Sequence, residues 1–380
     1  MIKSIKLKNL LSFGDPGLDL ELKPLNVLIG PNGSGKSNLI DAISLLQAAP
    51  RDIAEPIRRG GGIREWINKD LDQIYLPGAN VEVAIDSDYL APGWLMRHVF
   101  SVAGDIVPVV SHEEVLVQLG SAEIRRLFSA RYGAHVEIGS RKIEKYKHTE
   151  SVISQVRGSE PHELDVLVEE YSSIRIHRDW VFGRNAVARQ PQRADDRNDF
   201  LAEDASNLGL VLNRFRSKSA TKKKLLSELR NLLDGVTDFD VSVQAGTVQL
   251  FLEEYGRTIP STRLSDGTLR YLALLAILCD PEAPRIVCIE EPELGLHPDL
   301  LPHVARLMVE ASERCQIIAT THSDVIVDAL TEHAESVIVC DRGESGSTMR
   351  RLDPETLKPW LDNYRLGQLW SKGELGGNRW

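Results

Sequence analysis

Residues 30 to 37 read Gly30-Pro31-Asn32-Gly33-Ser34-Gly35-Lys36-Ser37, a complete match to the spacing GxxxxGK[ST], with Asn38 directly after it. Each residue type has a use there. Glycines let a loop curl until its backbone N–H groups converge on phosphate oxygens, and a helix N-terminus behind the loop adds partial positive charge. The lysine reaches the β- and γ-phosphates, and the serine hydroxyl is a ligand for Mg²⁺. Residues 30–38 are therefore a candidate cradle for ATP, with Lys36 also stabilising charge during phosphoryl transfer. A second constellation is Glu290-Glu291, which ends the apolar run Ile286-Val287-Cys288-Ile289. Carboxylates at the C-terminal end of a strand stand where an open α/β sheet places its ligand, and successive strand residues face opposite ways. Glu290 is accordingly assigned with Ser37 to the metal. Glu291 is the candidate general base that orients and deprotonates an attacking water. Ser265, Asp266 and Gly267 open an apolar helical pattern and offer a second anion cradle. His322 follows Thr320-Thr321 after another apolar run and can hydrogen-bond a γ-phosphate and sense its loss.

The elements needed to hold these groups are visible in the pattern. Leu25 to Ile29 predicts a strand before the glycine loop, and Asn38 to Ile43 a helix after it. Alternation at Ile5-Lys6-Leu7-Lys8 and at Leu18, Leu20, Leu22 predicts two earlier strands. Short strand patterns follow at 81–85, 98–102, 115–119 and 136–143, the last with an internal turn. Residues 151–171 turn helical, 172–180 read as extended, 182–198 as an arginine-bearing loop, 208–233 as helical, and 240–253 as strands around Ala245-Gly246. From Leu264 onward helices and strands alternate again, with strands at 285–289, 316–320 and 336–340, which implies right-handed crossovers and a mostly parallel sheet. The fold class is thus α/β with a mixed sheet, a β-rich lobe and an inserted helical lobe. The expected division is 1–80 and 261–345 as a discontinuous nucleotide domain, 81–150 as the β-rich lobe, 151–260 as the helical insertion and 346–380 as a C-terminal tail.

Composition sets outer limits. The chain has 380 residues, 42% apolar, with 45 basic and 55 acidic side chains and a net charge of −10, so no bulk positive field advertises nucleic acid. Local basic stretches remain: Arg214 to Lys224, and the arginines between 184 and 197. The four cysteines form no CxxC pair and read as buried, reduced thiols, which suits a cytoplasmic location. No signal-peptide core and no apolar stretch long enough for a bilayer is evident, so no membrane is expected as a partner.

The order of the motifs — glycine loop, Ser-Asp-Gly helix cap, apolar strand with Glu-Glu, strand with His — resembles the ABC-type ATPases of the SMC/RecF/OLD class. The resemblance covers about residues 1–45 and 260–340. In that family Lys36 and Ser37 would be Walker A, Leu264 to Thr268 the signature motif, Glu290 and Glu291 Walker B, Leu294 to Asp299 the D-loop and His322 the switch histidine. Segments 175–198, 264–270 and 373–380 look like a group of stand-alone bacterial AAA-type ATPases, similar to the ATPase halves of OLD-like and other phage-defence systems. Two departures stand out: glutamate replaces the usual Walker B aspartate at Glu290, and Asp266 and Thr268 replace the Gly and Gln of transporter signatures. The glutamine loop of such ATPases is not assigned, with Gln73 and Gln118 as candidates.

The resemblance implies a homodimer, or a higher oligomer, in which Ser265 and the Gly267 amide of one chain close on the γ-phosphate of the other. It further implies hydrolysis to ADP and phosphate and action in DNA repair or antiviral defence. OLD-class nucleases carry a toprim domain after the ATPase. Residues 341–380 are too few for one, so a separate effector or nuclease protein is the expected partner, with double-stranded DNA a further candidate and 366–380 a candidate docking tail. The alternatives are the ATP-binding subunit of a transporter and an ATP-stabilised scaffold with negligible hydrolysis.

Overall fold

A computed structural model describes residues 1–69, 78–119, 123–133, 136–138, 141–143, 146–156, 161–178 and 180–377. They form two compact units: residues 1–174, 335–353 and 373–380 in the first, residues 175–334 and 354–372 in the second.

In the first unit, Leu25–Ile29 is buried at every position, as a strand covered on both faces must be. It runs parallel to Val337–Gly343, with Val27 opposite Val337 and Ile29 opposite Val339. A hairpin returns as Gly346–Arg351, antiparallel to that strand and inside the expected C-terminal tail. The helix Lys36–Ala48 follows the glycine loop and buries Leu39, Ile40, Ile43 and Leu46. A second, antiparallel sheet of eight strands among the described residues begins with Leu18–Glu21 and Ile2–Lys8 and continues through Ala79–Ile85, Trp94–Ala103, Val109–Leu119 and Glu123–Arg131. The predicted strands at 81–85 and 98–102 thus belong to one sheet with the N-terminal strands, through pairs such as Ile5–Val83 and Val83–His98. The expected loop at Arg58-Arg59 is the last turn of a helix, Ala54–Arg59, with Glu55 in its first turn and both arginines in its last, each matched to the helix dipole.

In the second unit, Ile286–Glu290 and Gln316–Thr320 run parallel in the register Glu290–Thr320. The apolar helices Asp266–Leu278 and Leu301–Ser312 supply the buried leucines around them. The helical stretch at 208–233 is two helices, Leu208–Arg216 and Ser219–Leu229, and Val236–Gln244 and Thr247–Glu254 form a hairpin. Its turn, Ala245-Gly246, has positive φ at both residues, the geometry that a tight two-residue hairpin turn demands. Two further helices, Pro354–Leu361 and Leu366–Ser371, also lie within the expected tail, and the second buries Leu366, Leu369 and Trp370. All four cysteines are free and buried, and burial raises their thiols to about 11 or 12. Among the described residues no helix is long and apolar enough to cross a membrane.

Candidate functional site

The first half of the site is a backbone device. Gly30, Gly33 and Gly35 all have positive φ, and a side chain at Gly35 would meet Ser347 Oγ at 2.5 Å and Ser12 Oγ at 2.8 Å. Only glycine turns the chain there. The helix beginning at Lys36 has no side-chain cap, so its first N–H groups face out of the loop. Lys36 is buried, and its Nζ donates to the carbonyls of Gly30 (2.8 Å) and Pro31 (2.9 Å), which hold the ammonium inside the loop. Ser34 Oγ is buried without a hydrogen-bond partner among the described residues. An unmet hydroxyl, uncapped amides and an enclosed ammonium are what a polyphosphate would satisfy. Asn38 donates to Ser12 Oγ (2.7 Å), and Ser347 donates to the same oxygen (2.6 Å), bracing the loop from behind. Asn32 and Ser37 are exposed.

The second half is built from side chains. Because Glu290 pairs with Thr320, the residues just past both strands emerge at one end. Glu291 takes a left-handed backbone, φ 45°, rare for a residue with a side chain. Its N–H is held by the Thr320 carbonyl (3.1 Å) and hydroxyl (3.2 Å). Its carboxylate lies 3.7 Å from His322 Nε2, too long for a direct hydrogen bond and short enough for one shared water. Strain of this kind costs roughly 1–3 kcal/mol and persists where a position is functional.

Three residues outside the predicted set organise this end. Glu293 accepts the His322 N–H at 2.6 Å, and burial raises its carboxyl above the usual range. Arg270 donates to the Glu291 carbonyl (3.3 Å) and has its guanidinium 5.5 Å from the Trp180 ring. Burial lowers its pKa against the pull of Glu293 and Glu291. Arg189 is buried and binds the carbonyls of Gly183 (3.1 Å), Phe182 (3.3 Å), Ser261 (3.4 Å) and Leu264, and the Asp266 carboxylate. Ser265 caps its helix through Thr268 N (3.0 Å), as its type predicts. A side chain at Gly267 would sit 3.0 Å from the Gly295 carbonyl, so the start of this helix packs directly on the loop after Glu291. Asp266 thus directs its carboxylate at Arg189, and Ser265 and Gly267 are left as the groups able to face an anion.

The donors for Mg²⁺ are hard oxygens, the Ser37 hydroxyl and the Glu290 carboxylate. Among the described residues no cluster of three or more acids, histidines or cysteines forms a dedicated cage. Both facts fit Mg²⁺, which keeps waters and substrate oxygens in its shell. Gln118 lies in the strand Val109–Leu119, and Gln73 lies outside the described residues. The basic stretch is paired: Arg214 with Asp280 and Glu282, Arg216 with Asp240, Lys218 with Glu282, Lys222 with Asp238 and Lys224 with Glu310. Arg193 and Arg197 pair with Asp195 and Asp199.

Known proteins agree with this reading. The chain is 24% identical to an OLD nuclease of Thermus scotoductus, over 97% of this chain and 68% of that protein. It is 25% identical to the chromosome partition protein Smc of Coxiella burnetii, over 61% of this chain and 19% of that one. Its fold matches an Smc head bound to the C-winged helix domain of ScpA, with a TM-score of 0.57, 16% identity and coverage of 93% and 99% of the two chains. A second Smc head, from Pyrococcus furiosus, with an extended coiled coil and the C-terminal domain of ScpA, matches with a TM-score of 0.55, 15% identity and coverage of 95% and 98%. A family model described as "AAA domain, putative AbiEii toxin, Type IV TA system" matches residues 25–102 and 141–328, more than half of the chain. With a phosphate loop, a strand-end carboxylate pair and a Smc-head fold in one chain, this protein belongs to that family and is an ABC-type ATPase of the SMC/RecF/OLD class.

Proposed function

We propose that the protein is an ATP-hydrolysing switch that dimerises head to tail around ATP and acts with a separate effector protein in anti-phage defence or DNA repair. The observation that carries this reading is the pairing of Glu291, held in a strained backbone, with His322 at 3.7 Å. A scaffold that merely held ATP would have no use for a strained carboxylate beside an imidazole.

Gly30 through Asn38 bind the triphosphate, and Lys36 exchanges its two carbonyl partners for phosphate oxygens. Ser37 and Glu290 would hold Mg²⁺, which neutralises charge on the phosphates when bound. Glu291 orients and deprotonates the water that attacks the γ-phosphorus, and His322 holds that water or a γ-oxygen. Ser265 and the Gly267 N–H serve the nucleotide of a second copy, with Arg189 drawing the Asp266 charge away from it. Phosphate binding closes such a dimer and its loss reopens it, which is the switch.

The effector and the biological role follow from the kinds of protein that resemble the chain, and they rest on that alone. Double-stranded DNA remains a candidate ligand of the closed dimer, but the stretch 214–224 offers few unpaired cations for it. A transporter subunit fits less well, because the signature departs from the transporter pattern at Asp266 and Thr268. Single-turnover hydrolysis and solution mass with ATP test the proposal on Glu291→Gln. Turnover is expected to fall ~100-fold or more, the scale of losing a general base, with a stable ATP-bound dimer. Turnover at the parental rate, or a monomer at saturating ATP, would sink it.

A further inference from the structure

The segment after the last helix returns to the first unit and ends at the phosphate loop. Leu375 is buried, and its carbonyl accepts Arg350 Nη2 at 3.0 Å. The Gly377 N–H donates to Asp341 Oδ1 at 3.0 Å. Asp341 lies two residues beyond Val339, which pairs with Ile29, the residue before Gly30. Gly376 and Gly377 both have positive φ, 77° and 63°. A Cβ at Gly377 would lie 2.9 Å from Val339 Cγ1 and 3.4 Å from Gly30 Cα, so this glycine touches the first glycine of the loop with no room between them. The Gly30 carbonyl is in turn one of the two acceptors that hold Lys36.

We propose that Gly376-Gly377 is a positioning element of the nucleotide site: it buttresses Gly30 and thereby sets where the loop carbonyl and the Lys36 ammonium stand. The inference rests on the reading of residues 30–38 as a nucleotide cradle. It extends the site to a segment more than 330 positions away in sequence and makes that segment a lever on nucleotide affinity. Three contacts hold the lever down, from Arg350, Asp341 and the buried Leu375. By linkage, whatever lifts it weakens nucleotide binding, and bound nucleotide tightens its hold.

The test uses the full chain, a non-hydrolysable Mg-ATP analogue and calorimetric binding, with thermal unfolding of the nucleotide-free protein alongside. Gly377→Ala and Asp341→Ala are each expected to weaken binding ~10-fold, a change of about 1.4 kcal/mol. Adding Val339→Ala to Gly377→Ala removes the methyl that blocks the new side chain and is expected to restore most of the affinity. In the unaltered protein, the analogue is expected to slow exchange of the Gly377 amide hydrogen. Affinities within twofold of wild type, a loss that tracks stability with no recovery in the double variant, or an unchanged Gly377 amide would each overturn the inference. Failure of the wild type itself to bind the analogue would instead overturn the nucleotide reading, and this inference with it.

Discussion

The two halves of the site are made differently. In the loop of residues 30–38 the binding groups are main-chain amides and one ammonium, and three glycines with positive φ give the shape. At the ends of strands Ile286–Glu290 and Gln316–Thr320 the working groups are carboxylates and an imidazole. Their shape comes from a strained Glu291, a threonine that grips its N–H, and the supports Glu293, Arg270 and Arg189. A main-chain site is robust to most changes beyond its glycines and lysine. A side-chain site can be spoiled from a distance, through whatever holds the side chains.

Lys36→Ala tests the first half at its one indispensable side chain. Two carbonyl bonds and the charge-assisted bonds to phosphate disappear together, each of the latter worth about 1.5–3 kcal/mol. Nucleotide affinity is expected to fall ~100-fold or more while the fold survives, as measured by calorimetry and thermal unfolding. Near-normal affinity would mean that the loop amides suffice without the ammonium, and the contrast between the halves would be sharper than drawn.

The contrast also explains which features are legible in the order of the amino acids alone. The loop is one contiguous run flanked by a strand and a helix, so its function is spelled out locally. The parallel strands, the Ser265 cap and the strand-end acids are legible for the same reason: apolar runs of five residues bounded by polar groups have few other uses. Arg189 is not. It lies 77 positions from Asp266, in a segment whose arginines read as a candidate DNA track, and no periodicity marks one of them as buried. Glu293 carries no signal either, since its role depends on the register that brings residue 322 beside it. The hairpin partner Gly346–Arg351 and the helix Leu366–Ser371 escape a reading of pattern because short elements with charged or glycine-rich composition resemble tail sequence.

Arg189→Ala should separate the halves. It leaves the Asp266 carboxylate beside unpaired carbonyls of Gly183, Ser261 and Leu264, at a cost of about 2–3 kcal/mol in stability. ATP-driven dimerisation, followed by light scattering in the Glu291→Gln background, is expected to weaken markedly. Binding of nucleotide to the monomer should stay within twofold. Arg189→Lys, which keeps the charge but loses the planar fork, should fall between the two. A matching loss of monomer affinity would erase the distinction, because the signature loop would then serve the nucleotide of its own chain.

The smallest effect expected is a change in pH response at Glu293. Burial raises this carboxyl above its ordinary value of 4.5, more than the hydrogen bond from His322 N–H lowers it. Folding therefore favours the protonated acid. Its contribution is fully present below pH 4.5 and is lost as the pH rises through the higher folded value. Glu293→Gln keeps an acceptor for the His322 N–H and removes the charge. The variant is expected to unfold at a slightly higher temperature than wild type at pH 7, and the difference should close as the pH falls to 4.5 and below. Turnover should drop less than ~10-fold, since a neutral acceptor gives up only about 1 kcal/mol of hydrogen-bond strength. A variant less stable than wild type at pH 7 would show that the ionised carboxylate stabilises the fold through the Arg270 guanidinium, which its charge attracts. The strand-end half would then be held by an ion pair rather than by a hydrogen bond.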